Sequence, residues 1–194
     1  MQFTNSRERE SRVPQLSLRR MGNPGLAAAA AAAATAATAA TAPRPKTMIW
    51  GEPTWFLFHT LAHKVKDEAF PIVRQGLLDV IVKVCSNLPC PTCAEHATQF
   101  LQTVNFAAIQ TKQNLKDLLF RFHNLVNAKK SFPLFAYAEL DEKYNAANTG
   151  NIILNFMKHF EGSTPKLEAN HFSKMRTLQF LKQWFSQNLQ YFEP

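Results

Sequence analysis

Two cysteines with two residues between them, Cys90 and Cys93, lie in the stretch Leu88-Pro89-Cys90-Pro91-Thr92-Cys93-Ala94-Glu95-His96. The chain has three cysteines in all. This spacing supports either redox or metal chemistry. As a redox pair, the two sulfurs close a tight disulfide ring. Pro91 suits the first turn of a helix, because its missing N–H is a donor that a helix start leaves unpaired anyway. Cys90 then falls at a helix N-terminus, where free amide N–H groups and the helix dipole favour an anion and lower the local thiol pKa. As a metal site, Cys85, Cys90, Cys93 and His96 supply four soft or borderline ligands, enough for tetrahedral zinc. Plain packing is the third reading, and Cys85 is most simply a small buried hydrophobe.

The elements that must position these residues are read from composition and periodicity. A length of 194 residues fits one domain plus appendages and allows a substantial core without disulfide staples. Three cysteines exclude a secreted cystine scaffold, and the odd count leaves one thiol free or intermolecular. Sixteen Phe and three Trp make an aromatic interior, suited to ordinary packing or to helices gathered around a planar ligand. The net charge is +8, but residues 1–47 hold seven Lys or Arg against two Glu, so +5 of it lies there. The remainder is mildly basic and shows no cluster that would mark a nucleic-acid surface.

Residues 1–47 are low in complexity: an Arg-rich stretch, then Ala with interspersed Thr up to Pro43-Arg44-Pro45. Leu26–Ala42 is too short and too weakly apolar for a membrane span. A disordered spacer, a targeting peptide, and a functional start near Met48 all remain open for this arm. Glu8 and Glu10 count against a mitochondrial leader. From Trp50 the pattern becomes helical. Trp55, Phe58, Ala62 and Val65 predict a first helix to about Glu68, on which Trp55, His59 and His63 follow one another at intervals of four. Pro71 opens a second helix with the stripe Leu77, Ile81, Val84 and Leu88. The cysteine helix runs to about Asn105. Asn114 caps a fourth helix with Leu115, Leu118, Leu119, Phe122 and Val126 inward and His123 and Asn127 beside that face. A loop carries Leu140–Tyr144, a shorter fifth helix spans Ile152 to Phe160, and Gly162 stops it. An amphipathic helix follows Pro165, for packing or for a partner. With no strand alternation, the fold class is all-α: a four-helix bundle plus a short fifth helix and an extra C-terminal helix. The expected divisions are 1–47, 48–162 and 163–194. A thioredoxin-like redox fold would need a βαβ context around the cysteine pair, and none is visible.

Several His and Asn residues on two helices, with a Cys pair on a third, look like walls of a pocket for a flat polar molecule. Three more blocks accompany the cysteine stretch: Trp50-Gly51-x-x-Thr54-Trp55-x-x-x-His59-x-x-Ala62, Phe122-His123-Asn124-x-Val126-Asn127-x-Lys129, and Leu140-Asp141-Glu142-Lys143-Tyr144. In order and spacing the set resembles the ERV/ALR-type FAD-linked sulfhydryl oxidases, most closely the short forms of large DNA viruses. The resemblance covers roughly residues 48–160.

The resemblance implies a helical bundle that binds FAD non-covalently and forms a homodimer. It assigns Gly51, Thr54, Trp55 and His59 to the flavin from the first helix, with His63 where many members have Tyr. His123, Asn124, Val126, Asn127 and Lys129 would hold the adenine, ribose and phosphate end, with Tyr144 replacing a Trp near the adenine. Cys90 would be the outer and Cys93 the flavin-facing sulfur of a pair that oxidises protein dithiols and passes electrons through FAD to O2, giving H2O2. The chain lacks the second, mobile cysteine pair of many cellular members, so a protein dithiol or a small dithiol carrier must reach Cys90 directly. No metal, nucleic acid or membrane span is implied. The expected setting is host cytoplasm and virion for a viral protein, or else the mitochondrial intermembrane space. The alternative from another class is a zinc-stabilised helical interaction module built on Cys85, Cys90, Cys93 and His96.

Overall fold

Apolar side chains recur at helical spacing through Leu57, Phe58, Leu61 and Ala62, and all four are buried. In the computed structural model, which describes residues 48–163 and 171–194, they belong to α1 (Gly51–Lys64). It is followed by α2 (Phe70–Ser86), α3 (Pro91–Gln102), α4 (Lys112–Lys129), α5 (Glu139–Asn145), α6 (Thr149–Gly162) and α7 (His171–Asn188). Short 3-10 turns lie at Asp67–Ala69, Phe106–Ala108 and Leu189–Tyr191. Among the described residues the one extended pairing is a bridge between Val65 and Phe192, so the all-α fold read from the sequence is present. No described helix is long and apolar enough to cross a membrane. The expectations for residues 1–47 and for Pro165 lie outside the described residues.

Helix α1 packs against α4, α5 and α6, while α2 packs against α3 and α7. Leu57, Leu61, Leu77, Ile81, Leu115, Leu119, Phe156 and Phe160 meet in the shared core, and Leu178, Leu181, Trp184 and Phe185 of α7 join it. The amphipathic tail thus has a packing role. Arg74 of α2 donates to the backbone carbonyls of Phe106 (2.6 Å) and Ile109, fixing the connection between α3 and α4.

Four local readings are corrected. Helix α1 ends at Lys64, not near Glu68, because distant chain takes over its terminal backbone groups. Val65 turns extended (ψ 131°), Glu193 N–H donates to Lys64 O at 2.7 Å, and Lys66 N–H donates to Tyr191 O at 2.9 Å. Thr111, not Asn114, is the N-cap of α4. Its hydroxyl accepts from Asn114 N–H, while Asn114 Oδ1 accepts from Thr111 N–H, each at 3.1 Å, a reciprocal capping box. Leu140–Tyr144 lies on helix α5 and not in a loop: Leu140 and Tyr144, one turn apart, are both fully buried, but a single such pair is too short to register as periodicity. The fifth long helix, α6, spans 14 residues and is not shorter than α3, because Asn148 starts it early by accepting from Asn151 N–H at 2.9 Å.

The contact between α2 and α7 depends on a missing side chain. A Cβ built on Gly76 would overlap Trp184 Nε1, inside any permitted approach. Trp184 has little room to retreat, since it packs edge-on against Phe185 and Phe192. Gly76→Ala gains roughly 1 kcal/mol of helix propensity, yet the overlap is expected to cost more, about 1–3 kcal/mol. The variant should therefore unfold at lower urea concentration, with red-shifted Trp fluorescence in the native baseline. An unchanged or raised midpoint would show that the α2–α7 contact is not close-packed.

Candidate functional site

The cysteine pair is placed by the start of α3. Cys90 is its N-cap, Pro91 its first residue, and Cys90 Sγ accepts from Cys93 N–H at 3.2 Å. Both sulfurs are free thiols here and both residues are partly exposed. Ionisation departs from the sequence expectation at Cys93, whose pKa is pushed up to about 11. Burial is the largest cause, followed by the hydrogen bond and charge of Cys90, with Lys130 pulling the other way. Desolvation of the sulfur outweighs what the helix start offers an anion.

Cys90 and Cys93 open onto a cavity of about 640 Å³. Gly51, Thr54 and Trp55 of α1 and Val126 and Lys129 of α4 border the same space. Its walls are aromatic: Trp50, Phe58, Phe100 and Phe122 line it, and the last two stack at 4.5 Å with planes 3° apart. Phe100 stands two helical turns after Cys93, so it shares the cysteine's face of α3, a signal that the sequence carried unread.

A second group sits deeper, and Trp55 joins it to the first. The Trp55 and His123 rings stack at 4.1 Å, the His59 and Tyr144 rings at 4.7 Å, and His59 Nε2 lies 3.1 Å from His123 Nδ1. His59 Nδ1 and the Tyr144 hydroxyl are buried without a partner. Burial pushes the pKa of His59 down to about 3 and that of His123 down to about 4, helped at His59 by His123 itself and at both by Lys143. Both rings are therefore neutral at physiological pH. His59 Nε2–H donating to His123 Nδ1 leaves a bare lone pair at His59 Nδ1, which is less costly than an orphaned N–H.

His63 extends this group to α5. Its Nδ1 lies 2.8 Å from His59 O and its Nε2 lies 3.1 Å from Asp141 Oδ1, which also takes Lys116 Nζ at 2.7 Å. Both ring nitrogens face acceptors, so both bonds form together only in the imidazolium. Burial, the largest influence, draws the His63 pKa down. Lys116, by bonding Asp141, holds that carboxyl below the usual carboxylate range. Asp141 entered the sequence reading only within the Leu140–Tyr144 block and Lys116 not at all, because nothing local signals a contact between α1, α4 and α5.

The two asparagines are occupied elsewhere. Asn124 donates to Phe135 O at 2.9 Å and accepts from Phe135 N–H at 2.8 Å, and Asn127 donates to Pro133 O at 3.0 Å. Their amides pin the segment after α4 onto that helix. The zinc arrangement is not assembled: Cys85, Cys90, Cys93 and His96 border one cavity, but no group of three or more His, Cys, Asp or Glu among the described residues is placed to hold a metal. Burial instead drives the Cys85 thiol strongly upward, as suits an inert core thiol.

The neutral histidines make the fold acid-sensitive. Unfolded His titrates near pH 6.5, far above the folded values, so between these limits the unfolded chain binds more protons and stability falls as pH drops. The slope reaches at most about 1.4 kcal/mol per pH unit per histidine. Urea midpoints are expected to fall between pH 7 and pH 5, and His123→Phe should flatten that dependence. A parent midpoint that does not move would show that the rings are not buried neutral.

Residues 52–145 match the model of the Erv1 / Alr family. The chain is also similar to a protein of Invertebrate iridescent virus 3 named "Putative FAD-linked sulfhydryl oxidase 096R", at 26% identity over 103 residues, 53% of this chain and 70% of the relative. No solved structure matches. The family match runs from the first turn of α1 to the end of α5, and so contains the cysteine pair and the whole ring stack. Through this domain the chain is similar to the Erv1 / Alr family.

Proposed function

We propose that this chain is an FAD-dependent thiol oxidase that makes disulfides in protein substrates, taking electrons from dithiols at Cys90 and Cys93 and delivering them to O2 as H2O2. The observation that carries the reading is a Cys-x-x-Cys pair at the N-cap of α3, opening onto an aromatic-walled cavity of about 640 Å³. That volume falls within the range of about 300–1,000 Å³ for small-molecule sites.

The residues present fit FAD. A planar ring system needs flat apolar walls, which Trp50, Trp55, Phe58, Phe100 and Phe122 supply, with the cysteine pair on the same lining. Gly51 and Thr54 would complete that end, while Val126 and Lys129 on the same lining would face the phosphate end, Lys129 as a mobile charge. His59, His63, His123 and Tyr144 do not border this cavity; the adenine end would lie against their ring stack, where His59 Nδ1 and the Tyr144 hydroxyl are buried without a partner. Asn124 and Asn127 would shape that end through the 133–135 backbone that they hold. When bound, FAD would accept two electrons from the dithiol and return them to O2.

The chain's own residues carry the thiol chemistry. With Cys90 and Cys93 joined as a disulfide, a substrate thiolate attacks Cys90 Sγ, forms a mixed disulfide and expels Cys93 as a thiolate. A second substrate thiolate then attacks the substrate sulfur of that mixed disulfide, releasing Cys90 and leaving the substrate oxidised. Two substrate thiols thus become one disulfide, and the electron pair resides on the reduced Cys90–Cys93 pair. The burial that raises the Cys93 pKa also makes its thiolate a stronger nucleophile and donor once formed. We further read the chain as a viral protein, acting as a homodimer in host cytoplasm or virion. The likeness to an iridescent virus protein supports the viral part of that reading.

Purified protein is expected to be yellow, to bleach with anaerobic dithiothreitol and to regain its colour in air with stoichiometric peroxide. Cys93→Ser should retain FAD yet show no bleaching, a loss of at least about a thousandfold in dithiol-driven oxygen uptake. Cys85→Ser should change that uptake less than about threefold. A colourless protein carrying one zinc, or full activity in Cys93→Ser, would overturn the reading.

A further inference from the structure

A cation at the C-cap of α4 borders the same cavity as Cys93. Lys130 closes α4, and Ser131, in the left-handed region at φ 56°, turns the chain away immediately after it. Lys130 Nζ lies 3.8 Å from Met48 Sδ, and the same thioether lies 4.0 Å from Cys93 Sγ. Cys90, Cys93 and Lys130 all border the one cavity. None of the ion pairs among the described residues involves Lys130.

The electrostatic surroundings are one-sided. The titratable groups on the cavity lining are the thiols Cys85 of α2 and Cys90 at the start of α3, His96 of α3, Lys129 of α4 and Lys130 itself, with no Asp or Glu. An ammonium here meets no competing carboxylate on that lining. Its field therefore falls on the cysteine pair, whose sulfurs gain negative charge during the reaction.

We propose that Lys130 is a positioning residue that sets the ionisation of Cys93: its ammonium, seated on the Met48 thioether, stabilises the thiolate that this partly buried sulfur must become. Direct ammonium–sulfur contact is not needed, because a unit charge several ångströms away beside a partly buried group still acts on its ionisation. Without that charge, burial and the neighbouring Cys90 both oppose the thiolate. The device answers the cost of placing a thiol against an apolar cavity. It rests on the oxidase reading only for the use made of the thiolate.

The test is the pH profile of iodoacetamide alkylation at Cys93, followed by peptide mass spectrometry on the full chain carrying Cys90→Ser. Only the thiolate displaces iodide, so the rate reports the thiolate fraction. In that background Lys130→Met is expected to slow alkylation at pH 8 by about three- to tenfold and to move the profile to higher pH. Lys130→Arg, which keeps the charge, should restore the parent profile. An unshifted profile in Lys130→Met, or equal slowing in the Met and Arg variants, would overturn the proposal. The measurement needs no turnover. Failure of the oxidase reading would appear instead as absent dithiol-driven oxygen uptake in the unsubstituted chain.

Discussion

Helix α1 is enclosed along most of its length, and that enclosure governs the rest of the molecule. From Pro53 to His63 nearly every residue is buried, including Thr54, His59, Thr60 and His63. A polar group in such a place must find its partner inside the protein or remain unpaired at a cost. Thr54 returns its hydroxyl to Trp50 O at 2.8 Å, His63 bonds the preceding turn, and His59 turns to His123. The neighbours of α1 are thereby specified chemically as well as by shape. Helix α4 must present His123, and α5 must present Tyr144 and Asp141.

The cysteine pair sits at the opposite extreme of order. Its geometry comes from one cap and one proline, with Cys90 the N-cap and Pro91 the first residue of α3. What the surrounding fold adds is environment: an aromatic wall, a thioether and two lysines. Both effects of burial act on one atom, since it suppresses the Cys93 thiolate yet strengthens it as a donor.

How far the sequence could be read follows the range of each interaction. The helix start at Cys90–Pro91 and the inward stripe of α4 depend on residues within one or two turns, so spacing reveals them. The His59–His123 contact crosses 64 positions, and nothing near either residue announces it. Asn127 looked like a pocket residue because it lies one turn from His123, yet its amide is taken by Pro133, whose position depends on a turn after α4. The end of α1 was misplaced for the same reason. Val65 continues the helical pattern, and only the distant partner of its neighbours explains why the backbone leaves it.

That partnership bears on the order of assembly. Lys64, Lys66 and Thr149 are bonded by residues 191–193, so the first helix of the domain and the start of α6 are both closed by a segment made more than a hundred residues later than α1. Contacts of such long sequence separation form late, after the entropy of a long loop has been overcome. During synthesis the ribosome would release α1 with an unfinished end and hold it so until the closing segment emerged. The newly made domain would spend that interval as an open helical assembly, exposed to chaperones and to premature oxidation of its thiols.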